Sequence, residues 1–477
     1  MLFNSFYFLV FFSIITILFF ALPFNYRKYL LLGASYFFYM LWKPEYGLLL
    51  LVSTVLSYGV AIFIAKKKFE ERKKYVWICL FINLAILFFF KYFNFFNHSF
   101  RSVFSYFHFA YPVPDMLKVL LPVGISFYTF ETISYVLDVY YERREPEKRF
   151  ANYSLYISFF PKLLAGPIEK STNLLKQIEV ETKFNYERII EGLRRMLWGF
   201  FKKIVIADRL SLMIDPVYLH PSEHSGGFVL LSCYMFAFQI YCDFSGYTDI
   251  AIGASKVLGY DIVENFDHPF ISKSVGEFWR RWHMSLSFWL KDYLFTPIVF
   301  KRKNWGNYAL VFATFITFIL CGLWHGAKWT FVIFGLLQGI VISWELIIKD
   351  IRKKWILFVS PRLYNGLSLI LTFHFIIFSF IFFRANNVHN ALQVLSQIAH
   401  IGVGRNILSE FSKFGIFSLL IVCFSIMYVS VIEKKYKTSL VGLNCSDRVN
   451  YIFSGFTFTL LIIIGYFNPQ TFIYFNF

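Results

Sequence analysis

Cysteine is sparse in this chain, with six in 477 residues: Cys79, Cys233, Cys242, Cys321, Cys423 and Cys445. They show no metal-ligand spacing, and four or more lie in or beside apolar runs. They read as core packing, which excludes a disulfide framework and a zinc site. Neither His283 nor His325 has a second histidine four residues away, so the two do not form a metalloprotease-type pair. There is no Gly-x-Ser-x-Gly elbow and no Walker-type phosphate loop. The apolar runs do not alternate, which excludes a transmembrane barrel. No internal repeat and no low-complexity linker is found.

What is present is apolar and aromatic. The composition is 57% hydrophobic and 22% aromatic, with 64 Phe and 31 Tyr, and the mean hydropathy is +0.55. Those values belong to membrane proteins. Many runs approach or exceed the roughly 20 residues that span a bilayer as a helix. The fold class is therefore all-α, a polytopic transmembrane bundle, expected as one integral-membrane domain over 1–477. The formal net charge of +18 falls in short loops, the positive-inside pattern, so nucleic acid is not the expected partner and membrane lipid is.

Residues 3–22 are apolar and are followed by Phe24-Asn25-Tyr26-Arg27-Lys28 with no small-residue cleavage site, so a first membrane helix is expected there. Further runs occur at 29–43, 46–65, 75–96 and 117–140. The basic loops at 66–74 and 142–149 are expected inside, and 97–116 outside. Residues 152–170 contain Pro161, Gly166 and Pro167, which argues for a broken or re-entrant segment. Residues 171–192 read as a cytoplasmic surface helix, and 193–212 as an unusual span or an interfacial helix. A span carrying acids is expected at 228–251. The aromatic, basic stretch 272–300 reads as an amphipathic helix at the inner interface. Runs near 308–322, 329–348, 364–384, 413–433 and 450–467 complete the chain. Basic loops at 349–354 and 434–437 are expected inside, and 385–412 outside.

Three stretches carry candidate chemistry. Gly322-Leu323-Trp324-His325-Gly326 puts a histidine at the junction of two apolar runs. Ionisable residues at membrane depth are costly and read as functional, although a capping histidine flanked by belt tryptophans also fits. Glu277-Phe278-Trp279-Arg280-Arg281-Trp282-His283 would place Trp279, Trp282 and Trp289 near one helical face, with His283 beside them. The plainer reading is an aromatic belt with snorkelling arginines. Asp243-Phe244-Ser245-Gly246-Tyr247-Thr248-Asp249 holds two carboxylates in an apolar run, expensive unless paired; Arg280, Arg281 or Lys256 are candidate partners, and a structural ion pair is the plainer role. Pro122 and Gly124, like Pro161, Gly166 and Pro167, permit broken helices along a substrate path or plain kinks.

Taken together, Phe-Trp-Arg-Arg-Trp-His at 278–283, Gly-Leu-Trp-His-Gly at 322–326, Asp-Phe-Ser-Gly-Tyr-Thr-Asp at 243–249, Ala-Gly-Pro-Ile at 165–168, Phe383-Arg384-Ala385 and Phe472-Ile473-Tyr474-Phe475-Asn476-Phe477 resemble the membrane-bound O-acyltransferase family. Within it the chain resembles most nearly the alginate O-acetyltransferase membrane subunits and related bacterial cell-surface polysaccharide acetylases. The resemblance runs over nearly the whole chain. It implies about eleven helices, with re-entrant and interfacial ones, around a central funnel and tunnel in the bacterial cytoplasmic (inner) membrane. It maps the family's essential histidine onto His325 and its second characteristic histidine onto His283.

The resemblance further implies an acyl donor presented from the cytoplasm, acetyl-coenzyme A or a similar thioester, as co-substrate and not as a bound cofactor. The acceptor is then a cell-surface polysaccharide hydroxyl, reached directly or through an extracytoplasmic serine-hydrolase-like partner. On this reading His325 is the general base, because an imidazole titrates near working pH. His283 serves donor positioning or thioester polarisation. Trp282, Arg280, Arg281, Trp324, Asp243, Tyr247 and Asp249 bind substrate or support the site. D-alanyl transfer from a carrier-protein thioester to teichoic acid is the alternative enzyme reading. A proton-coupled transporter relaying protons through His325, Asp243 and Asp249 is the alternative of another class.

Overall fold

A computed structural model describes residues 1–115, 121–355, 359–400, 410, 424, 427–428, 447–468 and 470–476. Every regular element among them is helical. Among the described residues, six helices are long and apolar enough to cross a membrane: Pro44–Ala65, Phe69–Tyr106, Gly226–Val257, Asn307–His325, Trp329–Ile347 and Pro361–Arg384; Phe6–Ala21 and Tyr451–Ile464 are shorter apolar helices. Large apolar side chains such as Phe6, Trp77, Phe81 and Leu371 stand exposed on these helices. A helix apolar on the outside as well as the inside is suited to lipid. The runs expected near 413–433 and the loop at 434–437 lie outside the described residues.

The chain forms two compact units. The first comprises Met1, Ser5–Ile189 and Ala254–Val263; the second comprises Leu2–Asn4, Ile190–Gly253 and Glu264–Phe477. In the first, the fourth expected run continues as helix to Tyr106, so residues 97–106 of the loop expected at 97–116 are helical. The segment expected to be broken is broken: helix Phe150–Ser158 ends, Phe160–Leu163 makes one turn, and non-helical chain leads to Ser171–Ile178. Gly124, at φ +78°, starts the helix Ile125–Tyr140, and a Cβ there would lie 2.6 Å from the Leu163 carbonyl oxygen. Only glycine meets both demands cheaply.

Two glycine-lined helix crossings organise the second unit. Helices Asn307–His325 and Trp329–Ile347 form a hairpin in which Gly322 and Gly335 bring the backbones together. A Cβ on Gly335 would sit 2.2 Å from the Phe318 carbonyl oxygen, and one on Gly322 2.2 Å from that of Phe331. Likewise a Cβ on Gly199 would meet the Gly246 carbonyl oxygen at 2.5 Å, and one on Gly253 would meet that of Gly192 at 2.5 Å. Small residues at these crossings allow the close packing that holds membrane helices together. The stretch 272–300 is not one amphipathic helix. It divides into Val275–Arg281, Met284–Leu290, a π-helical turn Lys291–Phe295 and Thr296–Lys301. The break falls at His283, which adopts the left-handed conformation (φ 45°, ψ 54°).

Gly335→Ala is expected to lower the thermal stability of the detergent-solubilised protein by on the order of 1–3 kcal/mol through overpacking. Gly366→Ala, where nothing lies within 4 Å of the added methyl, is expected to be neutral or mildly stabilising. Equal melting temperatures for the two variants would contradict the close approach.

Candidate active site

His325 ends its helix and is buried, with Nε2 3.8 Å from the Cys321 sulfur one turn earlier. Its ring packs against Trp324 (centroids 5.1 Å apart), Phe383 (5.1 Å), Tyr474 (5.6 Å) and Phe334 (6.0 Å). Gly322 lets the partner helix reach this turn, and Gly326 leaves room for the Phe331 ring, which a Cβ would meet at 2.3 Å. The two glycines of Gly-Leu-Trp-His-Gly thus serve packing, and between them the histidine is held among aromatic rings.

His283 is fully buried. Its ring meets Phe244 edge-on at 4.7 Å, Trp324 at 5.7 Å and Tyr474 at 6.4 Å. Trp324 and Tyr474 are therefore shared neighbours of both imidazoles. The left-handed backbone at His283 costs on the order of 1–3 kcal/mol and needs fixing from outside. Asn265 supplies the strut. Its carbonyl oxygen accepts the Met284 N–H (2.9 Å), and its Oδ1 accepts the Ser285 N–H (3.2 Å) and hydroxyl (2.9 Å). The His283 Nδ1 lies 3.1 Å from the same Oδ1. A backbone N–H only donates, so that amide atom is the oxygen, and Nδ1 must carry the proton. In the neutral ring Nε2 is then the unprotonated nitrogen. Burial, and next the neighbouring His325, push the His283 pKa below its ordinary value, which favours the neutral ring.

Four residues of the 243–249 stretch, Asp243, Phe244, Tyr247 and Asp249, have definable roles in the packing. Asp243 pairs with Lys203 (2.6 Å), which also holds Asp208 (2.8 Å). The other Asp243 oxygen accepts the Ile473 N–H at 2.8 Å. That bond ties down the C-terminal segment and leaves Tyr474 against the two histidines. Phe244 packs on His283 and on Tyr474 (4.6 Å). Tyr247 stacks between Phe3 (4.4 Å) and Phe472 (4.7 Å). Asp249 pairs with Lys202 (2.6 Å) and Arg195 (2.9 Å), and Arg195 also grips Glu264 (2.5 Å). The partners of the two aspartates are thus Lys203, Lys202 and Arg195, and not Arg280, Arg281 or Lys256. The sequence signal was available: Lys202 and Lys203 stand inside an apolar run, as the aspartates do.

Trp282 belongs to an aromatic cluster with Phe278 (5.4 Å, stacked), Phe266 (5.1 Å) and Phe380 (5.6 Å). Trp279 donates from its indole nitrogen to Gln338 Oε1 (3.0 Å), joining this stretch to the hairpin that carries His325. Arg280 is exposed, and Arg281 is occupied by Glu277 (3.0 Å) and Asp267 (3.2 Å). The structure therefore brings together His325, His283 and Trp324, ties Asp243 and Tyr247 to Ile473 and Phe472 beside Tyr474, and sets Asp249 further along the same helix as Asp243. Sequence reasoning passed over Asn265, Gln338, Lys203 and the positioning of Tyr474.

A multi-spanning helical protein with two buried imidazoles sharing aromatic neighbours has the build of a membrane enzyme. The membrane-bound O-acyltransferase family profile matches residues 141–385, and the chain belongs to this family. It is 34% identical to the probable alginate O-acetylase AlgI of Azotobacter vinelandii, over 89% of this chain and 83% of that protein. It is 32% identical to the peptidoglycan O-acetyltransferase of Helicobacter pylori, over 94% and 91%. With the teichoic acid D-alanyltransferase of Bacillus subtilis it shares 31% identity, over 56% and 70%. The protein is a multi-pass membrane acyltransferase, which removes the transporter alternative.

Two outcomes follow from this geometry. Lys203→Met leaves Asp208 and Asp243 buried without their cation, a loss of about 3–5 kcal/mol; thermal unfolding in detergent measures it, and an unchanged melting temperature would refute the pairing. The lowered His283 pKa means the folded state binds this proton less readily than the unfolded chain does. Its contribution to stability is full above about pH 6.5, the ordinary histidine value, and declines as pH falls below it. Acid sensitivity of the wild type that is absent in His283→Gln checks this in parallel melts.

Proposed function

We propose that this enzyme moves an acetyl group from a cytoplasmic thioester, acetyl-coenzyme A, to hydroxyls of a bacterial cell-surface polysaccharide, working as one acyltransferase domain in the inner membrane. The observation that carries the reading is the pair of buried imidazoles sharing Trp324 and Tyr474. Relatives named as alginate and peptidoglycan O-acetyltransferases, alike over most of their length, support acetyl as the group and polysaccharide as the acceptor. Final delivery runs directly or through an extracytoplasmic serine-hydrolase-like partner.

In this mechanism His325 is the general base. The acceptor oxygen attacks the thioester carbonyl carbon as its proton passes to the imidazole. The tetrahedral intermediate then collapses with cleavage of the C–S bond, and the departing thiolate takes the proton back. Such a base contributes roughly 10²–10⁴ in rate. His283 positions the reactants. With its proton on Nδ1, its Nε2 accepts a hydrogen bond from a hydroxyl or thiol, and it has no proton there to polarise a carbonyl oxygen. Trp324 and the Trp282 cluster exclude water from the reacting groups, and Asp243, Tyr247 and Asp249 hold the surrounding helices and the C-terminal segment. Arg280, which is exposed, and Arg281 draw the anionic donor to the protein.

The test is base-labile acetate on isolated surface polymers from cells with the wild-type gene, a deletion, or His325→Ala at matched membrane abundance. Loss of the same acetate in the deletion and in His325→Ala is expected. Unchanged acetate in both would overturn the acetylase reading, and loss of D-alanine esters instead would favour the teichoic acid alternative.

A further inference from the structure

Within the first unit lies a partly open cavity of about 40 Å³ whose walls include Arg27, Lys28, Arg149, Asn152 and Glu179. One water needs about 10–15 Å³ by this measure, so the space admits a group larger than a water. The charge pattern sets these residues on the cytoplasmic side. Arg27 and Lys28 follow the first apolar helix, and Arg149 closes the basic loop 142–149. Tyr26 and Tyr29, flanking the Arg27–Lys28 pair, and Phe150, next to Arg149, are exposed. Exposed aromatic rings beside basic residues at helix ends mark the level of lipid headgroups.

Three cations share this wall with one carboxylate. Arg27 donates to the carbonyl oxygens of Leu22 (2.9 Å) and Thr182 (2.5 Å), and Lys28 lies over the Tyr29 ring, 5.3 Å from its centroid. Neither contact brings a negative charge. Among the described residues no ion pair forms at Arg27, Lys28 or Arg149. Glu179 is exposed, and a hydrogen bond to the Glu147 carboxyl raises its pKa, with Arg144 and Arg149 opposing that rise. A carboxyl tied to a second carboxyl is a weak counter-charge for three cations.

Two further features suit the space to an anion with hydrogen-bonding groups. Arg149 and Asn152 are the N-cap and third residue of helix Phe150–Ser158, whose N-terminus no side chain caps. A helix N-terminus favours negative charge. Asn152 is only 1% exposed, and its side-chain oxygen has no hydrogen-bond partner among the described residues. Its amide can turn over to offer either an acceptor or a donor.

We propose that this cavity binds the phosphodiester of an anionic inner-leaflet phospholipid such as phosphatidylglycerol. Arg27, Lys28 and Arg149 supply the cations, and the Asn152 amide bonds a phosphate oxygen or a headgroup hydroxyl. Charge-assisted bonds of this kind are the strong ones, and basic pockets between membrane helices on the cytoplasmic side suit such headgroups. A zwitterionic lipid would bring a further cation to a wall already short of negative charge. The bound lipid joins the turn after the first helix to the start of Phe150–Ser158, the helix that leads into the broken segment. The proposal is independent of the acyl-transfer reading.

The experiment is thermal melting of the purified full-length protein, delipidated in a neutral detergent and titrated with phosphatidylglycerol, phosphatidylcholine, inorganic phosphate or coenzyme A. Phosphatidylglycerol is expected to raise the melting temperature, and phosphatidylcholine not. Lys28→Gln with Arg149→Gln is expected to weaken the phosphatidylglycerol response roughly 25-fold, about fivefold per cation removed. Arg149→Lys, which keeps the charge, is expected to retain it. Lys73→Gln with Lys74→Gln removes the same charge from the other basic loop and is expected to leave the response unchanged; the lipid-free melts of all variants report folding. Equal stabilisation by phosphatidylcholine, an unaltered response in the Lys28/Arg149 variant, or an equal loss in the Lys73/Lys74 variant would each overturn the proposal. Stabilisation by inorganic phosphate or coenzyme A that matches phosphatidylglycerol and is lost in the Lys28/Arg149 variant would overturn the lipid as occupant and assign the site to a soluble phosphate.

Discussion

The buried bridge from Lys203 to Asp243, with Asp208 on the same ammonium, is the interaction on which the site depends. An unpaired carboxylate in an apolar helix would be costly, and the lysine makes it tolerable. With one oxygen occupied by Lys203, Asp243 has its other oxygen available for the Ile473 N–H. That single hydrogen bond, at the far end of the chain, fixes where Tyr474 lies. Tyr247 adds a second hold by stacking on Phe472. The C-terminal residues thereby become part of the wall around His283 and His325.

Close backbone approach is the second constraint, and it explains why the motifs contain so much glycine. The bridge is reachable because Gly199 and Gly246 let two helices approach within van der Waals distance of each other's backbone. The same device at Gly322 and Gly335 sets the turn that presents His325. In lipid there is little hydrophobic gain in bringing two apolar helices together, so packing and polar contacts must carry association. Here they coincide: each glycine crossing stands next to a charged residue or a buried histidine.

Much of the fold was legible in the sequence because membrane helices announce themselves by length and hydropathy. Pro44–Ala65, Asn307–His325, Trp329–Ile347 and Pro361–Arg384 fall within a few residues of their apolar runs, and Pro161 with Gly166 marked the broken segment. The stretch around His283 was misread as a single helix because its residues have ordinary helical preferences. The break there is imposed from Asn265, eighteen residues away, and no local rule contains it. The ion partners of Asp243 and Asp249 were misassigned for a related reason. Charge scarcity identified the aspartates as needing partners, but the choice among cations was settled by which helices glycine lets together. Both histidines were visible as anomalies of composition; what could not be read was the hydrogen bond that fixes the proton of His283 on Nδ1.

These constraints yield a candidate site of two imidazoles, one with its tautomer fixed by an amide strut and the other at a helix end, both packed among aromatic rings. The most direct measurement is release of free thiol from acetyl-coenzyme A by the purified protein in lipid nanodiscs, with and without a soluble hydroxyl acceptor, for wild type and His325→Ala. The account predicts acceptor-dependent thiol release that the substitution lowers by roughly 10²–10⁴. Release at the same rate from both proteins would contradict it.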